Sequence, residues 1–281
     1  QMCIRDSTDE EFQNLPRKFK SAISGNARQD VVHEINDLAF IGVEHPELGP
    51  GFECYVGGGL STNPMLAQSL GAFITLEQVP EVWAAVVRIF RDYGYRRLRN
   101  RARLKFLVAK WGAAKFREVL ETEYLGYALP DGPKAPNNLI DRDHIGVHEQ
   151  KDGNVYVGVK PTLGHMFGEQ LIEVADVVER YGSTSLRFTP FKELLVLDIA
   201  PERVDALQAD LEALGLYAKP SEFRRGLLSC TGLEYCKLAH VTTKSRAIEL
   251  ADELEERFGD LDSPITISLN GCPNACARHQ V

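Results

Sequence analysis

The sequence has no long apolar run, and this absence limits what the protein can be. No stretch approaches the roughly 20 apolar residues that a membrane-spanning helix needs. The opening QMCIRDS is not followed by the apolar core of a secretory signal. We therefore expect a cytoplasmic protein with no membrane partner. Hydrophobic residues nevertheless occupy 44% of the 281 positions, enough for the core of one or two domains.

Basic residues are the minority among the charged ones. The chain has 32 Lys and Arg against 40 Asp and Glu, a net charge of −8, and this balance disfavours a nucleic-acid partner. The exception is the basic segment from Arg88 to Arg117, which holds eleven basic residues and one acid, Asp92. Charge alone favours a solvated helix face over a cradle for a polyanion here.

Several common catalytic motifs are also missing. The sequence has no Ser-His-Asp order and no H-E-x-x-H, and VGGGLS lacks the spacing and the lysine of a phosphate-binding loop. Its three glycines, Gly57 to Gly59, predict a tight turn or a close approach of the backbone to another group.

Cysteine is scarce, and four of the six cysteines are paired. Without a visible export signal the thiols are expected to stay reduced, which disfavours disulfides. Cys54 lies in a predicted strand and is expected in the core. Excluding Cys3, which belongs to the QMCIRDS leader, the remaining thiols form two pairs within SCTGLEYCKLAH and NGCPNACARHQV: Cys230 with Cys236, and Cys272 with Cys276.

The spacing of these pairs favours an iron–sulfur cluster over zinc. A zinc site prefers two C-x(2–4)-C pairs, and only the second pair, C-x3-C, has that spacing. A cubane cluster also takes four thiolates and accepts more varied loops. Zinc stays the alternative at this stage, and buried inert thiols are disfavoured because the pairs lie on loop-like segments.

Periodicity predicts two structural regions separated by a linker. The first has strands at DLAFIGV and GFECYV, a helix near 81–95 and a second helix that ends at about Leu125. The linker YALPDGPKAPNNLIDRD is rich in proline and asparagine. Beyond it, the pattern from NVYVGVK to PERVDALQADLEALG predicts a β-α-β-β-α unit of ferredoxin-like character. The helix KSRAIELADELEERFG and the strand PITISL lie between the cysteine pairs and can bring both loops to one end of a sheet.

The motifs together resemble the siroheme and 4Fe–4S sulfite and nitrite reductases. The paired cysteines of CTGLEYCKLA and NGCPNAC carry the resemblance, together with LPRKFK, HEINDLAFIGV, VGGGLST and RARLKF in that order. It extends from about residue 14 to residue 281, and the CTG opening is similar to the ferredoxin-dependent branch.

The resemblance implies an α+β fold with a pseudo-twofold repeat. Ferredoxin-like half-domains would alternate with mixed-sheet sulfite-reductase core domains, and we expect the repeat to be truncated at both ends. The expected divisions are a non-native leader, a first siroheme core, a linker, a ferredoxin-like half-domain and the start of a second, 4Fe–4S and siroheme-binding core: residues 1–7, 8–125, 126–143, 144–214 and 220–281. We expect such a fragment to bind siroheme poorly.

The resemblance also implies roles for individual residues. The 4Fe–4S cluster would be held by the four paired cysteines, Cys230, Cys236, Cys272 and Cys276, and Cys276 would also bridge to the siroheme iron. Arg17 and Asn274 match positions that contact the siroheme. Lys192 stands where the family often has a glutamine that contacts siroheme, and a lysine there could still meet a siroheme carboxylate.

The catalytic residues implied by the resemblance are Lys18 and Lys20. In an extended strand they would project to the same side, where two ammonium groups can attract an anion and donate protons. In this context the basic segment also becomes a candidate cradle for siroheme carboxylates.

The expected function is the six-electron reduction of sulfite to sulfide, with electrons from ferredoxin. Ferredoxin-dependent reduction of nitrite to ammonia is the alternative, since both substrates are small anions. More distant alternatives are a cluster-bearing monooxygenase of corrinoid synthesis, which would not need both lysines, and a non-catalytic iron–sulfur or zinc module.

Overall fold

A computed structural model describes residues 9–26, 28–137, 142–259 and 261–280. The described residues fall into two compact units, divided between Ile140 and Asp141. The leader 1–7, with Cys3, lies outside the described residues. The first part of the expected linker packs onto the first unit, where Leu129 is buried and Asp131 pairs with Ala72.

The first unit is built on a four-stranded sheet with the strands in sequence order. The strands are β1 (Ser21–Ser24), β2 (Leu38–His45), β3 (Gly49–Val56) and β4 (Gln68–Ile74). β1 runs parallel to β2, and the other neighbours are antiparallel. The predicted strands DLAFIGV and GFECYV are confirmed as β2 and β3. Cys54 on β3 is fully buried, as expected.

Two helices complete the core of the first unit. The first, α1 (Val79–Tyr93), buries the periodic residues Val82, Val86 and Ile89, as its pattern predicts. The second, α2 (Leu104–Val119), continues into a π-helical turn over Leu120–Leu125 and ends at Gly126 in the left-handed conformation. Both predicted helices are therefore confirmed, including the end near Leu125.

The second unit contains the predicted ferredoxin-like β-α-β-β-α pattern. Its sheet has the order β5 (Gly146–Glu149), β6 (Val155–Pro161), β8 (Leu194–Ile199), β7 (Leu186–Phe188), and a short β9 (Leu216–Tyr217) pairs with β6. Two helices, α3 (Gly168–Arg180) and α4 (Val204–Ala213), pack on it. The core is rich in valine and leucine, side chains that pack well on a pleated sheet.

A second small sheet in this unit carries the cysteine segments. A short helix, α5 (Glu222–Arg225), leads into β10 (Leu227–Ser229), which runs parallel to β11 (Ile267–Leu269). The crossover between them is α6 (Lys244–Phe258), which buries Ala247 and Ala251. Phe258, the last residue of α6, is 65% exposed.

Within the described ranges, no helix combines the length and the apolar character that crossing a membrane would require.

Candidate functional site

The two cysteine pairs follow the two neighbouring parallel strands. Cys230 comes directly after β10, and Cys272 comes shortly after β11. Because the strands are parallel, both loops leave the sheet at the same end. Hydrogen bonds join them: the Cys230 N–H donates to the Leu269 carbonyl at 3.0 Å, and the His240 N–H donates to the Gly271 carbonyl at 2.8 Å. We call residues 230–240 and 270–280 the cysteine loops.

Cys230 sits among hydrogen-bond donors that favour its thiolate. Partial burial raises the pKa of this thiol, but donors outweigh it and hold the pKa below its ordinary value. The Gly271 N–H lies 3.2 Å from Sγ, and the Thr243 hydroxyl lies 3.7 Å from it. Since the thiolate is the form that binds metals, this environment suits a metal ligand.

Of the remaining thiols, two are half-buried like Cys230 and one is exposed. The Cys236 N–H donates to the Gly232 carbonyl at 2.8 Å, closing a turn, and Cys236 and Cys272 are half-buried while Cys276 is exposed. No three His, Cys, Asp or Glu side chains of the described residues lie close enough together to hold a metal ion. The backbone therefore brings the cysteine loops together, but it does not gather the thiols into a closed ligand set.

A residue that the sequence analysis missed holds the second loop in shape. The Asn270 Oδ1 accepts a hydrogen bond from the Ala277 N–H at 2.7 Å, which ties the start of the loop to its end. Asn274, the predicted siroheme contact, is exposed at the middle of that loop. The asparagine of NGC is the only sequence signal for this bond, because Asn commonly hydrogen-bonds nearby backbone.

In the first unit, Lys18 and Lys20 flank a core aromatic. Phe19 packs on Phe90 and Trp83 with ring centroids 5.8 and 6.3 Å apart, which leaves the two lysines outside the core. Lys18 is exposed and Lys20 is half-buried. The prediction that they lie in a strand is wrong, since β1 begins only at Ser21 and both lysines precede it.

A buried carboxylate connects the predicted lysine segment to the basic segment. Asp37 is fully buried and accepts the Lys20 N–H at 2.9 Å and two bonds from the Arg103 guanidinium, at 3.1 and 2.6 Å. Its backbone carbonyl accepts the Gly57 N–H at 2.9 Å. Asp37 was not predicted as a site residue, because the only signal for it in the sequence is an acidic residue at the start of an apolar strand.

Lys105 forms hydrogen bonds to the segment that starts with the three glycines, residues 57–65, which we call the glycine turn. Its buried ammonium donates to three carbonyls of that turn, at 3.1, 2.7 and 2.5 Å: Gly59, Leu60 and Asn63. Burial first, and then the nearby charges of Arg103, Lys20 and Arg17, lower the pKa of Lys105 to about 8. These cations therefore lie close together. We call Arg17, Lys20, Asp37, Arg103 and Lys105, together with Lys18 from the same segment of the chain, the cation site.

The turn itself requires glycine. A Cβ at Gly58 would lie 2.3 Å from the Glu34 carbonyl oxygen, and Gly57 adopts a positive φ of 85°. Of the two expectations for the three glycines, the close backbone approach is confirmed at Gly58, which packs against the protein's own backbone, while Gly59 pairs with Met65 across the turn that follows.

The basic segment divides into partnered and exposed arginines. Arg88 pairs with Glu11 at 2.6 Å and Arg117 with Glu121 at 2.7 Å, so these charges serve the fold. Four arginines between α1 and α2 are exposed: Arg96, which bonds to Asn14, and Arg97, Arg99 and Arg101. The Arg17 guanidinium, predicted to contact siroheme, donates to the carbonyl of Arg99.

Comparison with protein families identifies both units. Residues 4–128 match the nitrite and sulphite reductase 4Fe-4S domain, and residues 148–214 match the nitrite/sulfite reductase ferredoxin-like half domain. Both matched stretches precede the four paired cysteines. A solved structure of the Mycobacterium tuberculosis NirA protein is 56% identical and superposes with a TM-score of 0.92, over 96% of this chain and 50% of that one. The expected α+β fold with a ferredoxin-like half-domain is confirmed.

The curated relatives fall into two groups, one with sulfite reductase and one with nitrite reductase in the name. A "sulfite reductase [ferredoxin] 2" of Mycolicibacterium paratuberculosis is 57% identical over 96% of this chain and 49% of its own length. A ferredoxin–nitrite reductase of Synechococcus elongatus is 36% identical over 96% of this chain and 53% of its own length. The chain spans about half the length of the curated relatives it matches. With both units matched and its motifs in the expected order, this chain belongs to the nitrite and sulphite reductase family.

Proposed function

We propose that this chain is part of a ferredoxin-dependent sulfite reductase, which reduces sulfite to sulfide at a siroheme beside a 4Fe–4S cluster. The relatives named sulfite reductase are 53–57% identical to it, while those named nitrite reductase are 33–36% identical. Because the chain spans about half of these proteins, the substrate and the electron donor belong to the proposal.

The observation that carries the proposal is the placement of the cysteine loops. Two pairs of thiols leave one end of the β10–β11 sheet, and backbone donors already favour the thiolate of Cys230. We assign the cluster to the four paired cysteines, which would hold it through their thiolates, and Cys276 would also contact the siroheme: Cys230, Cys236, Cys272 and Cys276. Binding requires the thiols to move closer together than the structure places them. Once bound, the cluster and the siroheme supply the electrons, one at a time.

The cation site supplies the charge that the reaction needs. Reduction of sulfite consumes six electrons and seven protons and gives hydrosulfide and three waters, so the anion must be held and repeatedly protonated. We assign this role to Lys18 and Lys20, whose Nζ protons bind the anion's oxygens and are taken up as the S–O bonds break. The bidentate bond to Asp37 already uses Arg103, which makes that arginine a structural cation. Arg17 and Asn274 are assigned to siroheme contacts.

Nitrite reduction is the second candidate, because relatives at 36% identity carry that name over nearly the whole chain. Nitrite is also a small anion, and the cation site has no feature that separates it from sulfite. Three further alternatives are a monooxygenase of corrinoid synthesis, a plain cluster carrier and a zinc module. The monooxygenase would not need both lysines, and the other two differ in the metal that they bind. The experiment described next separates them.

The test uses the full-length protein that contains this sequence, purified without air. We expect a siroheme absorption band and, with reduced ferredoxin, faster production of sulfide from sulfite than of ammonia from nitrite. Faster ammonia production would assign it to nitrite. A preparation without siroheme and without turnover would contradict both, and metal analysis would then separate an iron–sulfur carrier from a zinc module.

A pair of lysine variants tests the catalytic assignment. Lys18→Ala should lower kcat/KM for the anion by about 10²–10⁴-fold, the usual contribution of a positioned proton donor. Lys151→Ala removes the same charge from an exposed position outside the basic segment, in the β5–β6 turn, and should leave turnover unchanged. Equal activity of the two variants would remove Lys18 from the proposed mechanism.

A further inference from the structure

Lys192 reaches from the ferredoxin-like sheet to the first cysteine loop. It lies in the turn between β7 and β8, and its Nζ donates to the Ser229 carbonyl at 3.0 Å. Ser229 is the last residue of β10 and directly precedes Cys230. The residue is exposed overall, but its ammonium end is partly buried by this contact. The resemblance to the family placed Lys192 where a glutamine often contacts siroheme.

The turn holds Lys192 in an uncommon backbone conformation. Its φ is +67°, a value that residues other than glycine rarely adopt. The turn is closed by the Lys192 N–H to the Thr189 carbonyl at 3.0 Å and by the Thr189 hydroxyl to the Glu193 carboxylate at 2.6 Å. An over-determined conformation of this kind fixes the direction in which the side chain leaves the turn.

Gly164 leaves the space that the Lys192 side chain occupies. A Cβ at Gly164 would lie 2.3 Å from Cβ and 2.7 Å from Cδ of Lys192, so any other residue there would block the lysine stem. Gly164 has a φ of +64°, which further disfavours other residues. Turn and glycine together direct the ammonium group to the strand end that precedes Cys230.

The surroundings of this ammonium group are positively charged. The charged groups near Lys192 include three cations, Lys244, Arg278 and Lys160, and one thiol, Cys230. Lys244 begins α6, and the Arg278 guanidinium lies 5.1 Å from the centroid of the Phe191 ring. Neighbouring cations repel one another, and an anion placed among them offsets this unfavourable electrostatic energy. Four thiolates on an iron–sulfur cluster would be such an anion.

We propose that Lys192 is a positioning residue that fixes the strand end before Cys230 and raises the reduction potential of the cluster held by the cysteine loops. The inference rests on the proposed function, because it needs the cluster. A fixed cation stabilises the reduced cluster, which carries one more negative charge, more than the oxidised one. Lys192 thus acts on the cluster through its charge and the Ser229 carbonyl, in place of the siroheme contact that a glutamine makes in the family.

The test is a redox titration of the full-length holoprotein, followed by the EPR signal of the reduced cluster. Lys192→Gln removes the charge, and Lys192→Arg keeps it. Lys151→Gln is the matched control, since Lys151 is exposed in the β5–β6 turn, at the opposite end of the sheet from Lys192. We expect Lys192→Gln to lower the equilibrium constant for cluster reduction by about three- to tenfold, where tenfold is about 59 mV for one electron. Lys192→Arg and Lys151→Gln should keep the wild-type potential.

The outcomes separate this inference from the proposed function. An unchanged potential in Lys192→Gln, with the cluster intact, overturns the inference alone, and so does an equal shift in Lys192→Arg. Loss of the cluster from Lys192→Gln but not from Lys192→Arg supports the positioning role. A wild-type protein without any cluster overturns the proposed function and this inference with it.

Discussion

The cation site and the cysteine loops are held by different kinds of bonds. In the cation site, charged side chains bond directly to one another and to the backbone, as Arg103 does to Asp37 and Lys105 does to the glycine turn. In the cysteine loops, backbone hydrogen bonds hold the strand ends together, while the thiols are not gathered. The fold therefore positions the side chains of the cation site, whereas in the cysteine loops it positions the backbone but not the thiols. Substitutions can test this difference separately in each unit.

The largest effect is expected at the buried carboxylate of the cation site. Asp37→Ala leaves the Arg103 guanidinium without its partner in a buried position, which typically costs about 3–5 kcal/mol. Asp131→Ala removes one of the two carboxylate partners of Arg117, which keeps Glu121, and the Asp131 carboxylate is 90% exposed, so the cost should stay below about 1 kcal/mol. Urea unfolding followed by tryptophan fluorescence reports on this unit, because both tryptophans, Trp83 and Trp111, lie in it.

Equal unfolding free energies for the two aspartate variants would break the comparison. They would mean that the buried ion pair contributes no more to the cation site than a surface pair does.

An intermediate effect is expected where the cysteine loops depend on strand pairing. A Cβ at Gly226 would lie 1.5 Å from the Ile265 carbonyl oxygen, next to the Ile267 N–H bond to the Gly226 carbonyl that starts the β10–β11 pairing. Gly226→Ala should therefore destabilise the second unit by about 1–3 kcal/mol. Iron bound per full-length chain should fall with it.

Gly168→Ala is the control for this substitution. Gly168 begins α3 with open space around its Cβ position, so alanine there should be neutral or mildly stabilising. Thermal unfolding and iron analysis of both variants make the comparison, and a Gly226→Ala protein with wild-type iron would show that the loops do not depend on this strand pair.

The smallest effect is expected in the pH dependence of the second unit. Burial raises the pKa of Asp143, but two bonds from Arg225, both 2.8 Å, and its charge hold the pKa below its ordinary value. A depressed folded-state pKa contributes stability above the unfolded value of about 3.9, and this stability is lost as the pH falls through the folded value. Asp143→Asn should thus lose less stability than the wild type between pH 6 and pH 3, as urea unfolding followed by circular dichroism would measure. Parallel losses in the two proteins would contradict the assigned role of Arg225.

Sequence patterns predicted the long elements better than the short ones. The periodic apolar residues of α1 and the continuous apolar run of β2 carry their own signal, and so does the β-α-β-β-α order of the second unit. β10 has only three residues, and its partner β11 lies about forty residues further along the chain, so no local pattern marks it. β4 contains Gly71, which weakens a strand signal.

For the candidate site, the residue types could be predicted but not their partners. The cysteine pairs and the lysine segment stand out by spacing and by resemblance. Asp37, which connects Lys20 to Arg103, could not be found, because its partners lie 17 and 66 residues away. The direction of Lys192 toward Ser229 likewise depends on a turn conformation and on Gly164, which only the folded chain brings together.

The most direct measurement is the iron and acid-labile sulfide content of the full-length protein, with the EPR spectrum of its reduced form, in two cysteine variants. Cys54→Ala removes a buried core thiol and should keep the iron, the sulfide and the cluster spectrum of the wild type. Cys276→Ser changes one of the four assigned ligands and should lose the cluster spectrum together with most of the sulfide. A Cys276→Ser protein with the iron, the sulfide and the spectrum of the wild type would contradict the assignment of the cysteine loops as the cluster site.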